Sequence, residues 1–349
     1  MAAWTRPGNR RQAVITAILL VIVMFWLPGQ LSQYWLNVLT EVAVYALVAL
    51  GLGLLMGRVG LVSLGQIAVL AIGAWIAARI LYATSLPYSV VIVICGLATG
   101  VVGTLVGLPA LRVSGLSLAL ITLMLAGAIS IVLANTNFPN GGTGFSGYVS
   151  NAFSSATVQP IRRPSIALSD DGFFRYTVVV ALIMFLLALW HVSSKPGRAW
   201  ASIRQSEPAA LATGINITFY KLWAIVLASF ITGVAGALLA GDSGTLYPGQ
   251  FPTVQSISLL AVVLMGGMYS LWGAVLGGVL MQLLPAFLDK WNLPADLLTI
   301  LFGVGVLQVL ATAPAGIVDQ FPKDMKRLGR LIKRTFSRPS APPPQGAGP

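Results

Sequence analysis

The sequence predicts an all-α, polytopic membrane protein of about ten transmembrane helices, some of them short or re-entrant. Three observations carry that prediction. Only 9% of the 349 residues are charged, against roughly 25% in soluble domains. The uncharged runs Val59–Ala78, Ile80–Leu111, Leu222–Gly241 and Leu297–Val318 are each long enough to cross a hydrocarbon core of about 30 Å as a helix. The 21 basic residues are also segregated by loop, as the positive-inside rule requires of a chain that weaves through a bilayer.

The expected spans lie near 13–28, 34–56, 60–82, 88–110, 116–134, 174–193, 222–241, 254–270, 272–289 and 295–313. The first follows Arg6, Arg10 and Arg11, which gives it the look of a secretory signal. It ends in Leu27-Pro28-Gly29-Gln30, which offers no small-residue cleavage site, so a retained first helix is expected. The fourth span carries Gly96, Gly100, Gly103 and Gly107, the seventh Gly233 and Gly236, and the ninth Gly273 and Gly277. Small residues at this spacing let helix backbones approach closely, so these spans are expected to pack on one another or on a partner subunit. The spans at 254–270 and 272–289 are short for a crossing and are expected to be tilted, broken or re-entrant.

With the N-terminus inside, sixteen basic residues fall on the inner side and five (Arg79, Arg162, Arg163, Arg175 and Lys290) on the outer. Both termini and the 195–221 loop are therefore expected to be cytoplasmic. The chain divides into an N-terminal segment 1–12, a transmembrane domain 13–315 and a basic, Pro-rich tail 316–349. The tail's composition reads as disordered, with a weak attraction to anionic lipid. The net charge of +12 does not imply nucleic acid, because the positive charges sit in short loops and at the termini. The outer loop 135–173 opens on a run rich in Asn, Pro and Gly that includes Asn140, a composition that forms turns.

The loop from Lys195 to Lys221 is the longest polar-rich stretch between spans. Helix formers run from Arg198 to Ala212, and Gly214 then offers a C-terminal stop. The expected form is a short helix, a turn and a second short helix on the membrane surface. Arg198, Arg204, Glu207, Ala209, Ala210 and Gly214 are its candidate docking residues for a soluble partner, and an ordinary basic loop is the plain alternative.

Chemistry within the spans is sparse. Glu41 is the main intramembrane carboxylate, and such a group is costly enough to be a functional candidate. Ser63, Gln66, Thr122 and Asn140 join it as candidates for a translocation path, and Gln282 is a further buried amide. His191 stands at the inner end of a span and is expected to face lipid headgroups. No His/Cys/Asp/Glu cluster suggests a metal, and the single Cys95 excludes an internal disulfide. The sequence has no Gly-Lys dipeptide and hence no P-loop, so any ATP-driven work is expected to come from another chain.

Four stretches together resemble the membrane subunits of bacterial ABC importers for branched-chain amino acids, the LivM-type permeases. They are Gly60-Leu-Val-Ser-Leu-Gly-Gln-Ile-Ala-Val-Leu-Ala-Ile-Gly-Ala74-Trp75, Leu111-Arg112-Val-Ser-Gly115 with Leu116 to Leu123, Gly197-Arg198-Ala-Trp200 through Gly214-Ile215-Asn216, and Leu264-Met-Gly-Gly-Met-Tyr-Ser-Leu-Trp-Gly273. They occur in the family's order across roughly residues 35–315. The resemblance implies a permease without a cofactor of its own, in the bacterial inner membrane. Its partners would be a second homologous permease, two cytoplasmic ATPases that bind the ATP, and a periplasmic substrate-binding protein. The Arg198–Asn216 segment would be its coupling helix. The chain departs from the family pattern at Pro208, Tyr269, Ala274 and Leu118. Those departures bear on substrate rather than architecture, because related permeases carry urea, short amides or other amino acids. An ion-coupled secondary transporter would need more intramembrane charge than Glu41 supplies. An intramembrane enzyme would need a convergent nucleophile or metal set.

Overall fold

In the computed structural model, residues 24, 26, 28–111, 115–136, 160–294, 296–312, 316–318 and 320 are described. Most of the expected first span, the outer-loop residue Asn140 and nearly all of the basic tail lie outside the described residues. Among the described residues the regular structure is helical: α1 (Gln33–Leu54), α2 (Gln66–Ala83), α3 (Tyr88–Ala110), α4 (Leu116–Thr136), α5 (Asp170–Ser193), α6 (Lys195–Gln205), α7 (Glu207–Ala212), α8 (Ile217–Ser243), α9 (Gln255–Gly266), α10 (Leu271–Gly278), α11 (Leu284–Lys290) and α12 (Asp296–Thr312). A π-helical turn, Leu55–Val59, prolongs α1, and another, Val279–Leu283, joins α10 to α11. Among the described residues, seven segments are long and apolar enough to cross a membrane: Gln33–Val59, Gln66–Ala83, Tyr88–Leu108, Ser117–Asn135, Asp170–Ser193, Ile217–Ser243 and Leu271–Lys290. The chain is a multi-pass membrane protein.

The helices cohere because glycine and alanine strip the contact faces of bulk. α8 is the hub, packed on α3, α2 and α1, while α1 also packs on α10 and α5. A Cβ on Gly73 of α2 would stand 2.8 Å from the Gly233 Cα of α8, and one on Gly236 would run into the Leu70 carbonyl. Gly103 and Gly107 of α3 similarly leave room for Ser229 and Ile225 of α8, and Gly277 faces Ala49 of α1. The glycine stripes thus serve contacts within this chain, where dispersion between close backbones supplies the attraction that apolar lipid cannot.

Two departures from the expected spans matter for the site. The span expected at 60–82 is helical only from Gln66, because Gly60 takes φ 85° and Leu61 to Gly65 run without helical hydrogen bonding. The span expected at 254–270 shortens to α9, twelve residues, or about 18 Å of helix. It ends at Gly267 (φ 108°), where the chain turns back into α10. Broken helices of this kind are tolerated in a membrane only where protein or a cavity satisfies the freed backbone.

At the end opposite Arg58, two adjacent arginines fasten the loop before α5. Arg162 donates to the carbonyls of Leu81 and Thr84 (2.8 and 2.6 Å) at the end of α2. Arg163 donates to the Gly241 and Asp242 carbonyls (3.0 and 3.3 Å) at the end of α8 and pairs with Asp170. Both satisfy orphan carbonyls at helix C-termini, where a cation also complements the helix dipole. His191, expected to face lipid headgroups, is instead buried against its neighbours. It is 8% exposed, its Nδ1 lies 2.9 Å from the Leu187 carbonyl oxygen, and its ring lies between Trp190 and Trp223. The aromatic neighbours cover an imidazole whose polar contact is made within its own helix.

Candidate functional site

Two places gather the candidate residues. The first is the short helical pair α6–α7 at the end that also carries Arg58. Pro196 occupies the first turn of α6, where its missing N–H costs nothing. Gly197 packs on the Val192 carbonyl with no room for a Cβ, which fixes the sharp turn out of α5. Trp200 is 1% exposed and donates its indole N–H to the Tyr220 carbonyl (2.8 Å). The chain breaks at Ser206, which is extended and caps α7 by accepting from the Ala209 N–H (3.4 Å). Pro208, a departure from the family pattern, therefore sits within the first turn of a new helix.

α7 closes with a left-handed Gly214 (φ 79°): the Ile215 N–H reaches the Ala210 carbonyl and the Gly214 N–H that of Leu211. This paired closure needs a residue without a Cβ penalty, so Gly214 shapes the turn. Ala210 is buried beneath it, while Ala209 is exposed.

Arg204 and Glu207 tie this pair to the bundle, and Arg58 braces the turn that Arg204 grips. Arg204 donates to the Met56 carbonyl (3.0 Å), to the Gly57 carbonyl and to the Tyr269 hydroxyl, with its guanidinium 4.5 Å from the Tyr269 ring centre. Arg58 reaches the Tyr269 carbonyl (3.4 Å). Glu207 pairs with Lys221 of α8 at 2.7 Å. Arg204 therefore couples α6 to the end of α1 and to the α9–α10 turn, and Glu207 couples α7 to α8. Tyr269 stands where the family pattern has glycine, and here it supplies half of the Arg204 clasp.

Arg198 is different: it is exposed and its guanidinium makes no hydrogen bond among the described residues. Leu211 (60% exposed) and Phe219 (56%) add apolar surface nearby. That combination of rigid attachment below and free side chains above suits a docking surface. Opposite-charge replacements of Arg198 or Glu207 are expected to leave membrane insertion intact and to lower transport severalfold per ATP hydrolysed. Normal transport by purified complexes of those variants would contradict a coupling role.

The second place is a narrow, mostly apolar cleft, partly open to its surroundings, among α2, α3, α4 and α8. It exists because α4 packs lightly on α2 and α3. Ser63, Gln66 and Thr122, separated by up to 59 residues in sequence, all line it. The Leu64 N–H donates to the Thr122 hydroxyl (2.9 Å), which itself donates to the Ala119 carbonyl (3.0 Å). The Gly65 N–H meets the Ser63 hydroxyl (3.4 Å), and Thr232 of α8 donates to Gln66 Oε1 (3.0 Å). Leu118, another departure from the family pattern, is buried on the cleft wall.

Glu41 is not part of this cleft. It is half-buried on α1, near Tyr45 and Asp242. The Tyr45 hydroxyl accepts from Gln255 (2.9 Å) and also engages Gln282. Thr99, Ser229 and Thr232 line or support the cleft and were missed by sequence reasoning. The signal available was the i, i+3 spacing of Ser229 and Thr232 in an apolar span, which puts both on one helix face. Among the described residues, no three His, Cys, Asp or Glu side chains converge as a metal site would require.

A family model described as branched-chain amino acid transport system, permease component, matches residues 34–310. The high-affinity branched-chain amino acid transport system permease proteins LivM of Salmonella typhimurium and of Escherichia coli are each 28% identical over 297 residues, covering 81% of this chain and 70% of theirs. BraD of Pseudomonas aeruginosa, named as a permease protein of the same kind of system, is 30% identical over 149 residues, covering 41% of this chain and 46% of its own. No solved structure gives a significant match.

Proposed function

The chain belongs to the family of branched-chain amino acid transport permease components, and from that premise we propose that it is a permease subunit of an ATP-dependent importer for branched-chain amino acids. In this reading it lies in the bacterial inner membrane with both termini cytoplasmic. It pairs with a second homologous permease, receives substrate from a periplasmic binding protein and is driven by two cytoplasmic ATPases. The chain has no P-loop, so ATP is bound by those partners and this subunit holds path and lever.

The observation that carries the proposal is the family match over 34–310, which contains the anchored α6–α7 pair. A closing ATPase dimer that pushes on this pair moves three things at once: α1 and the α9–α10 turn through Arg204, and α8 through Trp200 and Glu207. α8 and the start of α2 wall the cleft. Hydrolysis then supplies the differential stabilisation between cleft geometries that a directional cycle needs.

The test is uptake into vesicles holding this chain with its partner permease, ATPases and binding protein. Accumulation is expected to require ATP and both ATPase chains and to survive collapse of ion gradients by ionophores. Uptake that ignores ATP and follows an ion gradient would overturn the proposal in favour of a secondary transporter.

A further inference from the structure

The start of α2 is a buried helix N-terminus without a cap. Gly65, the preceding residue, supplies no side-chain hydrogen bond, and the N–H groups of Gln66, Ile67 and Ala68 have no partner among the described residues. All three residues are at most 7% exposed. Buried backbone donors are almost always satisfied, so three orphans at one point call for an acceptor.

Two side chains at the same cleft are also incomplete. Gln66, 3% exposed, has its Oε1 bonded by Thr232, while its Nε2 has no partner among the described residues. Ser229, also 3% exposed, lines the cleft with a hydroxyl that makes no hydrogen bond among the described residues. Ser229 and Thr232 lie one turn apart on α8, Thr232 holds Gln66, and Gln66 and Ser229 line the same cleft. Thr232 stands close to the middle of the 27-residue α8, which puts this group of donors deep in the bundle.

We propose that the N-terminus of α2, with Gln66 Nε2 and Ser229 Oγ, is a binding site for the α-carboxylate of the transported amino acid. This rests on the importer reading above and adds the recognition chemistry. The chemistry is that of an anion at a helix N-terminus: backbone N–H groups and the positive end of the dipole face the oxygens, and a hydroxyl and an amide supply further donors. In a site walled mostly by apolar side chains such donors favour a carboxylate more than they would in water. The remaining walls, including Val69, Ile72, Val102, Val106, Leu125 and Ile129, are apolar and suit a branched aliphatic side chain. The break at Gly60–Gly65 is what places a helix start here instead of an uninterrupted helix, whose backbone would have no donor to spare.

Two measurements on the assembled importer test the site. Gln66→Glu sets a fixed carboxylate among the donors, and Ser229→Ala removes one donor. Gln66→Glu is expected to lower ATP-dependent leucine uptake at least tenfold and Ser229→Ala severalfold, with ATP hydrolysis by the complex retained. Independently of how well the charged variant folds, Ser229→Cys offers a thiol in a chain whose single native cysteine, Cys95, is fully buried. Leucine is expected to slow its modification by a methanethiosulfonate severalfold, and leucinol, which lacks the carboxylate, is not. Gln66→Glu transport at the wild-type rate, or equal protection by leucine and leucinol, would overturn the carboxylate site and leave the importer reading standing. A wild-type complex that accumulates no branched-chain amino acid would overturn both.

Discussion

Arg204→Ala is expected to leave the chain folded and inserted but to lower transport at least tenfold while ATP hydrolysis continues. Among the described residues, the guanidinium ties α6 to the Met56 and Gly57 carbonyls and to the Tyr269 hydroxyl. Each charge-assisted bond contributes about 1.5–3 kcal/mol when its partner is left unsatisfied, and the ring contact adds about 0.5–1 kcal/mol at a partly exposed site. Water can reach some of the freed carbonyls, so the net loss is nearer the low end, about 3 kcal/mol. That is ample to let α6 move without pulling α1 and the α9–α10 turn with it. Global stability changes less, because Trp200 stays buried against Tyr220 and Lys221 keeps Glu207. Arg204→Lys retains charge but not the fork, and is expected to recover only part of the transport. Tyr269→Phe, which removes the hydroxyl and keeps the ring, should be milder than either. The measurement is the ratio of substrate moved to ATP hydrolysed. A wild-type ratio in Arg204→Ala would show that the clasp transmits nothing.

Gly236→Leu is expected to abolish the folded protein. A side chain there meets only backbone, the Leu70 carbonyl, the Ala74 nitrogen and Gly73, so no rotamer change can relieve it. α2 and α8 must separate along the face where Gly73 and Gly233 also touch, which strips close contacts along the central helix pair. Overpacking of a core costs about 1–3 kcal/mol even where side chains can adjust, and more is expected here. A stability of about 5–15 kcal/mol would be largely consumed. The control is Gly127→Leu on α4, where nothing lies within 4 Å of an added Cβ. Membrane-extracted yield and the thermal transition in detergent should be near wild type for Gly127→Leu and lost for Gly236→Leu. Equal behaviour of the two would contradict the packing argument.

Most of the architecture was legible because hydropathy reports a one-dimensional constraint: a helix must bury about twenty apolar residues in lipid. α3, α4 and α5 lie within a few residues of the expected spans, and α7 stops at Gly214 as its composition implied; the break between α6 and α7 at Ser206 was not legible, because helix formers run from Arg198 to Ala212. The interruption at Gly60–Gly65 was not legible, since Leu61, Val62 and Leu64 are as apolar as any helix. The structure shows how the freed backbone is satisfied: Gly60 and Leu61 donate to the Leu55 carbonyl, Leu64 to Thr122 and Gly65 to Ser63. Ser63, Gln66 and Thr122 were recognisable as polar groups in apolar runs, and the fold brings them to one cleft. Glu41 was singled out for the same reason yet lies elsewhere, because a lone charge in a span says nothing about which neighbours it will meet. Ser229 and Thr232 escaped notice because isolated hydroxyls in helices usually bond back to their own backbone, as Thr99 does to Cys95. Tyr269 read as a departure from the family pattern; its use emerged only when Arg204 arrived beside it from 65 residues away.

The most direct measurement is uptake of labelled leucine, isoleucine and valine, with urea as comparator, by vesicles holding the whole importer and its binding protein. ATP-dependent accumulation of the three aliphatic amino acids, with urea excluded, is the expected result. Uptake of urea alone would contradict the substrate, and accumulation without ATP would contradict the importer itself.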